Sequence, residues 1–90
     1  MSIKVYFHGY ISPLPNLVNI AEVDANTIDQ CLDKFIKFYP SAKECLFDEH
    51  GKLKAIFGLF VNRDMVSPEE IHKPVKDKDE LHIVSLFDGG

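Results

Sequence analysis

Residues 27–39 constrain this 90-residue chain more than any other segment. Ile28, Cys31, Leu32, Phe35, Ile36 and Tyr39 recur at the spacing that places side chains on one face of a helix. Asp29, Asp33, Lys34 and Lys37 fill the other side. Thr27 followed by Gln30 is a capping-box pattern, in which side chains satisfy backbone N–H groups that the first helical turn leaves open. Pro40 ends the run, because proline has no N–H to continue the ladder. An amphipathic helix must cover an apolar surface, and a chain this short has room for one small core.

The surface it covers reads as strands. Ile3, Val5 and Phe7 alternate with Lys4, Tyr6 and His8, the period of a half-buried strand. Gly9 and the segment Ser12-Pro13-Leu14-Pro15-Asn16 break regularity as a hairpin loop does. Residues 17–23 read as a second strand with Val18 and Ile20 on one face and Leu17, Ala21 and Val23 on the other. Both faces carry apolar residues, so the buried one stays open, as does a bulge. Residues 40–53 are polar and irregular, with a turn at Asp48-Glu49-His50-Gly51. Residues 55–61 form the strand richest in apolar side chains, with Phe57, Leu59 and Val61 opposite Ile56 and Phe60. Asn62-Arg63-Asp64 turns the chain into Met65-Val66. Ser67-Pro68-Glu69-Glu70 resembles a cap with proline at the first helical position, giving one short helical turn. Residues 76–80 are a charged turn before a last strand at 81–86.

This order predicts a two-layer α+β domain, a mixed sheet of four to five strands packed on one main helix. No repeat or linker interrupts it. The expectation is one domain over residues 1–90 with a flexible tail at 87–90.

Composition narrows the function. A net charge of −4 argues against a nucleic-acid binder, which needs a basic face. No stretch approaches a membrane span, and the first residues lack the apolar run of a signal peptide. Cys31 and Cys45 are too far apart for a CxxC motif; two free thiols in a reducing cytoplasm is the simple reading, with a disulfide left open. Cys31 falls on the apolar face of the helix, as a small core residue. His8, His50, His72 and His82 lack zinc-type spacing, and two cysteines cannot supply the four thiolates of an iron–sulfur cluster. There is no nucleophile elbow and no glycine-rich phosphate loop. Glu69-Glu70 and Asp77, Asp79 and Glu80 read as solvated turn charge. These features support neither an independent enzyme nor a bound metal or cofactor.

The sequence closes on Gly89-Gly90. Two residues without side chains enter a channel too narrow for any other pair. From Leu86 the tail reaches about 13 Å when extended, enough to hold a carboxylate away from the body. A carboxylate is a poor electrophile until something activates it, so this ending suits a substrate or carrier. A frayed terminus is the alternative.

Phe60-Val61-Asn62 with Val66 four residues on, Asp77-Lys78-Asp79-Glu80-Leu81, Thr27-Ile28 with Leu32, and the terminal glycines together resemble the ubiquitin-like sulfur carriers of the MoaD/ThiS type. The likeness is strongest over residues 55–90. It implies a β-grasp (ubiquitin-like) fold, with the first and last long strands parallel at the centre of the sheet. Lys78 stands where the family usually has a turn glycine, the proline-rich 9–16 loop has no obvious counterpart, and Phe87-Asp88 replaces smaller or β-branched residues. Length favours the molybdopterin branch over the shorter thiamine-pathway carriers.

The resemblance implies that a ubiquitin-activating-type enzyme, using ATP and magnesium, adenylates the Gly90 carboxylate. Sulfur from a persulfide then gives a thiocarboxylate, and in the molybdopterin branch the large synthase subunit holds the pterin precursor that receives it. Gly90 is the reactive residue and Gly89 gives the backbone access. Phe60, Phe87 and Asp88 are the candidate partner contacts, with a core role for Phe60 as its alternative. Other readings with the same tail are a thiamine-pathway or other sulfur carrier, a modifier conjugated to lysines through Gly90, and a ubiquitin-like interaction domain with an inert tail.

Overall fold

The computed structural model describes residues 1–8 and 18–86. Five strands, β1 (Ser2–His8), β2 (Val18–Asp24), β3 (Phe57–Val61), β4 (Asp64–Val66) and β5 (Glu80–Ser85), form one sheet in the order β2-β1-β5-β3-β4. β1 and β5 pair in parallel at its centre, and the other neighbours are antiparallel. Helix α1 (Ile28–Phe38) packs across one face, and α2 (Ala42–Leu46) follows it. This is the mixed α+β architecture of a β-grasp fold. The 9–16 loop, Leu17, Phe87, Asp88, Gly89 and Gly90 lie outside the described residues.

α1 forms where its period predicts, with Thr27 in extended conformation at the N-cap. The Gln30 N–H reaches Thr27 Oγ1 at 3.4 Å, while Gln30 Oε1 accepts from the Asn26 N–H at 2.9 Å. The box is therefore displaced by one residue at its second bond. Ile28, Cys31, Leu32 and Phe35 are buried against Ile3, Val5 and Phe7 of β1 and Leu81 and Ile83 of β5. Phe35 stacks on Phe7 at 6.2 Å between ring centroids and lies 5.1 Å from Tyr39, while Phe57 meets Phe7 edge-on at 5.6 Å.

β2 settles the question its sequence leaves open. Asn19, Ala21 and Val23 are buried, and Val18 and Ile20 face outward, 41% and 49% exposed. The β1–β2 pairing runs in one register from Ser2↔Asp24 to His8↔Val18, so these strands contain no bulge. β2 is an edge strand whose outer carbonyls are capped by the helix side: Tyr39 Oη donates to Ile20 O at 3.1 Å, and Lys34 Nζ donates to Asp24 O. Capped carbonyls leave a poorer template for a foreign strand.

Residues 40–53 depart from the expected irregular stretch. Ala42 and Leu46, four apart, are both fully buried and hold α2 against the core. Five residues are too few for a sequence period to register. The Asp48 turn forms as expected: Asp48 Oδ1 accepts from the N–H groups of His50 and Lys52, and Gly51 sits at φ +79°. β3 begins two residues later than the run of apolar residues, because Phe57 N–H donates to Lys54 O and closes a turn over Ala55 and Ile56. No helix among the described residues is long and apolar enough to cross a membrane.

Candidate functional site

The two fragments that carry the family resemblance meet in space. Asn62, in the β3–β4 turn, takes the left-handed conformation at φ +56°, which asparagine tolerates better than most residues. Its backbone N–H donates to Glu80 O at 2.8 Å, its Nδ2 donates to Asp79 Oδ1 at 3.0 Å, and its Oδ1 accepts from the Glu80 N–H at 3.1 Å. Asp79 Oδ2 accepts from the Lys76 N–H at 2.8 Å, and Asp77 Oδ1 accepts from the Ser2 N–H at 2.7 Å. The acidic turn is thus a clasp joining the starts of β1 and β5 to the end of β3, and not merely solvated charge.

Lys78 occupies this clasp at φ +70°, with its N–H donated to Ser2 O at 2.8 Å. A side chain in the left-handed region is strained where glycine is not. Lys78→Gly is expected to raise unfolding stability by about 0.5–1 kcal/mol in a denaturant titration. A loss of stability would show that the lysine side chain contributes more than its backbone strain costs.

Glu70 is also engaged. Pro68–Glu70 is a 3₁₀ turn whose Ser67 N–H and hydroxyl each donate to Glu70 Oε1 at 3.0 Å. Lys73 ammonium and then Ser67 hold the Glu70 carboxyl down to about 2. Cys31 and Cys45 are free thiols; burial first, then the nearby Asp29 charge, pushes Cys31 up to about 11, so it stays a protonated core side chain.

Among the described residues, the buried core lies on the α1 side of the sheet and the opposite face is open. It carries Tyr6 and His8 of β1, Val18 and Ile20 of β2, His82 and Val84 of β5, Phe60 of β3 and Met65 of β4. Strand alternation places Phe60 here, half-buried, because its neighbours Phe57 and Leu59 point into the core. It pairs in register with His82 on one side and Met65 on the other. Met65 is 61% exposed.

At the centre of this face lies a group that the sequence reading missed. His8 Nε2 and His82 Nδ1 are 2.8 Å apart, and the ring planes lie 19° from parallel with centroids 5.0 Å apart, so the rings meet edge to edge. Tyr6 stacks on His82 at 4.6 Å, and His82 Nε2 lies 3.1 Å from Glu80 Oε1. Burial, and then the neighbouring His82, lower the His8 pKa below its ordinary 6.5. Parity on two strands expected to be parallel neighbours was the available signal; spacing along the chain, 74 residues, concealed it. Among the described residues, no group of three or more His, Cys, Asp or Glu side chains is placed to hold a metal ion.

The last described residue, Leu86, donates its N–H to Ile56 O at 2.7 Å and is half exposed. Beside it opens a groove of about 430 Å³ lined by Phe57, Gly58, Met65, Val66, Pro68 and Leu86. A Cβ at Gly58 would sit 3.0 Å from Leu86 Cδ2, so glycine there lets Leu86 lie close over β3.

No protein-family model matches the chain, and no curated protein matches it. Solved structures do. SAMP1 from Haloferax volcanii is similar at a TM-score of 0.79 and 17% identity, over 100% of both chains. The small archaeal modifier protein 1 from Methanosarcina acetivorans gives 0.69 and 18%, covering 100% of this chain and 99% of that one. The Haloferax volcanii HVO 2177 protein gives 0.64 and 15%, covering 99% of this chain and 88% of that one. At such identities the likeness establishes the fold, a ubiquitin-like β-grasp.

Proposed function

We propose that this chain is a ubiquitin-like acyl carrier activated at the Gly90 carboxylate, and that it serves as a protein modifier. The observation that carries the reading is the whole-length likeness to proteins named as small archaeal modifiers, in a chain whose sequence closes on Gly89-Gly90. A Gly90 carboxylate oxygen attacks the α-phosphorus of ATP on a ubiquitin-activating-type partner, and pyrophosphate leaves. The resulting acyl-adenylate carries a good leaving group. A lysine ε-amine of a target protein then displaces AMP, directly or after transfer through a partner thiol, and an isopeptide bond forms. ATP, magnesium and the acid–base groups belong to the partner; this chain supplies the acyl group and the surface that is gripped. Phe60 on the open face, with Phe87 and Asp88 at the tail, are the proposed contacts.

A second reading shares every step up to the adenylate. There the persulfide of a partner protein displaces AMP to give an acyl disulfide, a second partner thiol attacks the partner-side sulfur and is oxidised with it to a disulfide, and the thiocarboxylate left at Gly90 is used by a large molybdopterin synthase subunit. The clasp favours this reading, because Phe60-Val61-Asn62 and Asp77-Lys78-Asp79-Glu80-Leu81 are the fragments shared with sulfur carriers, and Asn62 ties the two together. Incubation with the cognate activating enzyme, ATP and a sulfur donor separates the outcomes. Higher-mass conjugates on a denaturing gel are expected for the modifier. An intact mass raised by replacement of one oxygen by sulfur, without conjugates, replaces it by the carrier. Neither product from an enzyme active on its own substrate rejects both.

A further inference from the structure

Hydrogen-bond chemistry fixes how many protons the His8–His82 pair tolerates. Glu80 Oε1 only accepts as a carboxylate, so His82 Nε2 carries a proton toward it. In neutral His82 the other nitrogen, Nδ1, is then a bare acceptor, and His8 Nε2–H donates to it across 2.8 Å. One added proton preserves the bond with its direction reversed: imidazolium His82 donates from Nδ1, and His8 accepts at Nε2 as its other tautomer. A second proton makes both facing nitrogens N–H donors. Two like-charged donors at that separation repel, so the rings must part.

From this geometry we propose that His8 and His82 act as one proton-sensing pair that sets the character of the open sheet face. With at most one proton taken up, the face is a flat aromatic and aliphatic surface built on Tyr6, His8, His82 and Phe60. With both rings protonated, the pair separates and the centre of the face becomes cationic. A partner that docks through apolar contacts at Phe60, as the activating enzyme is proposed to do, is then released.

The surroundings support coupling between the rings. On β1, Tyr6 and Lys4 share the face; on β5, Glu80 lies beside His82, and Val84 is the register partner of His8. β2 sets Val18 opposite His8 and Ile20 opposite Tyr6, with Glu22 opposite Lys4. β3 sets Phe60 opposite His82, and β4 adds Met65. Among the described residues, Glu80 is the only carboxylate with a hydrogen bond to the pair. It can offset the first positive charge, and no second carboxylate among the described residues is hydrogen-bonded to the pair. The lowered His8 pKa agrees with this. Its sign for folding follows: the unfolded chain takes up this proton at 6.5 and the folded chain only at lower pH, so stability falls as pH drops through that interval.

The test is a pH titration of the imidazole nitrogens of the full chain by heteronuclear NMR. His8 is expected to titrate below its ordinary value and in a curve coupled to that of His82, with the Tyr6 and Phe60 ring signals moving in the same acid step. His82→Phe keeps an aromatic ring against Tyr6 and removes the charge and hydrogen bond; in it, the His8 midpoint is expected to move up. A midpoint unchanged by His82→Phe would leave burial as its whole cause and overturn the pairing. Two independent single-site curves in the unsubstituted chain overturn it without any variant. This readout needs no activating enzyme, so its failure and that of activation at Gly90 are separately visible.

Discussion

Phe35→Ala is expected to lower unfolding stability by about 3–5 kcal/mol. Phe35 is fully buried at the centre of the α1–sheet contact, against the rings of Phe7 and Tyr39. Its removal forfeits the transfer free energy of the ring. It also leaves a void that the sheet side cannot close, because Phe7 is held by strand pairing on both sides. A domain of this size has total stability near the low end of about 5–15 kcal/mol, so the variant should be close to half unfolded under mild denaturant. The control lies three residues along the same helix. Phe38 is 62% exposed, and Phe38→Ala should change stability by no more than about 0.5 kcal/mol. Denaturant midpoints for the two variants decide it; equal losses would mean that α1 does not anchor the core through this face.

Where the period was long and its two faces differed, the sequence was legible. α1 satisfies both conditions, and so do β1 and β5, whose buried Ile3, Val5, Phe7, Leu81 and Ile83 alternate with polar or half-buried neighbours. β2 fails the second condition. Its buried row contains Asn19 and its exposed row Val18 and Ile20, so hydrophobicity alone points both ways. The register with β1 decides the matter, and that is tertiary information. α2 fails the first condition, since two buried positions define no period. Asn62 belongs to a sequence motif, but its three bonds to the Asp79–Glu80 turn span 17 and 18 residues and depend on β3 lying beside β5. The histidine pair is the extreme case. Spacing rules for ligand sets test residues near one another in sequence, whereas parallel pairing of the first and last strands brings together residues from opposite ends of the chain.

Gly89→Val is expected to abolish product formation at Gly90 while leaving the stability of the domain unchanged. The two halves of that expectation have separate physical grounds. Among the described residues, the core, the clasp and the strand pairings are built from positions up to 86. Activation, in the proposed function, requires the last residues to lie in an extended path while the terminal carboxylate meets the α-phosphate of ATP. Valine adds a branched Cβ that widens the chain at that point and closes the backbone angles open to glycine. A displacement of about 1 Å at the reacting carboxylate costs on the order of a hundredfold in rate, and a β-branched side chain in a narrow channel imposes at least that. Gly89→Ala should therefore fall between the two, impaired but measurable. Intact-mass analysis and denaturing gels, run with the activating enzyme on equal amounts of the three proteins, give the comparison. Normal conjugate or thiocarboxylate yield from Gly89→Val would mean that the tail is not threaded, and the carboxylate of Gly90 would lose its assigned part. Loss of yield accompanied by loss of thermal stability would place Gly89 in the fold instead.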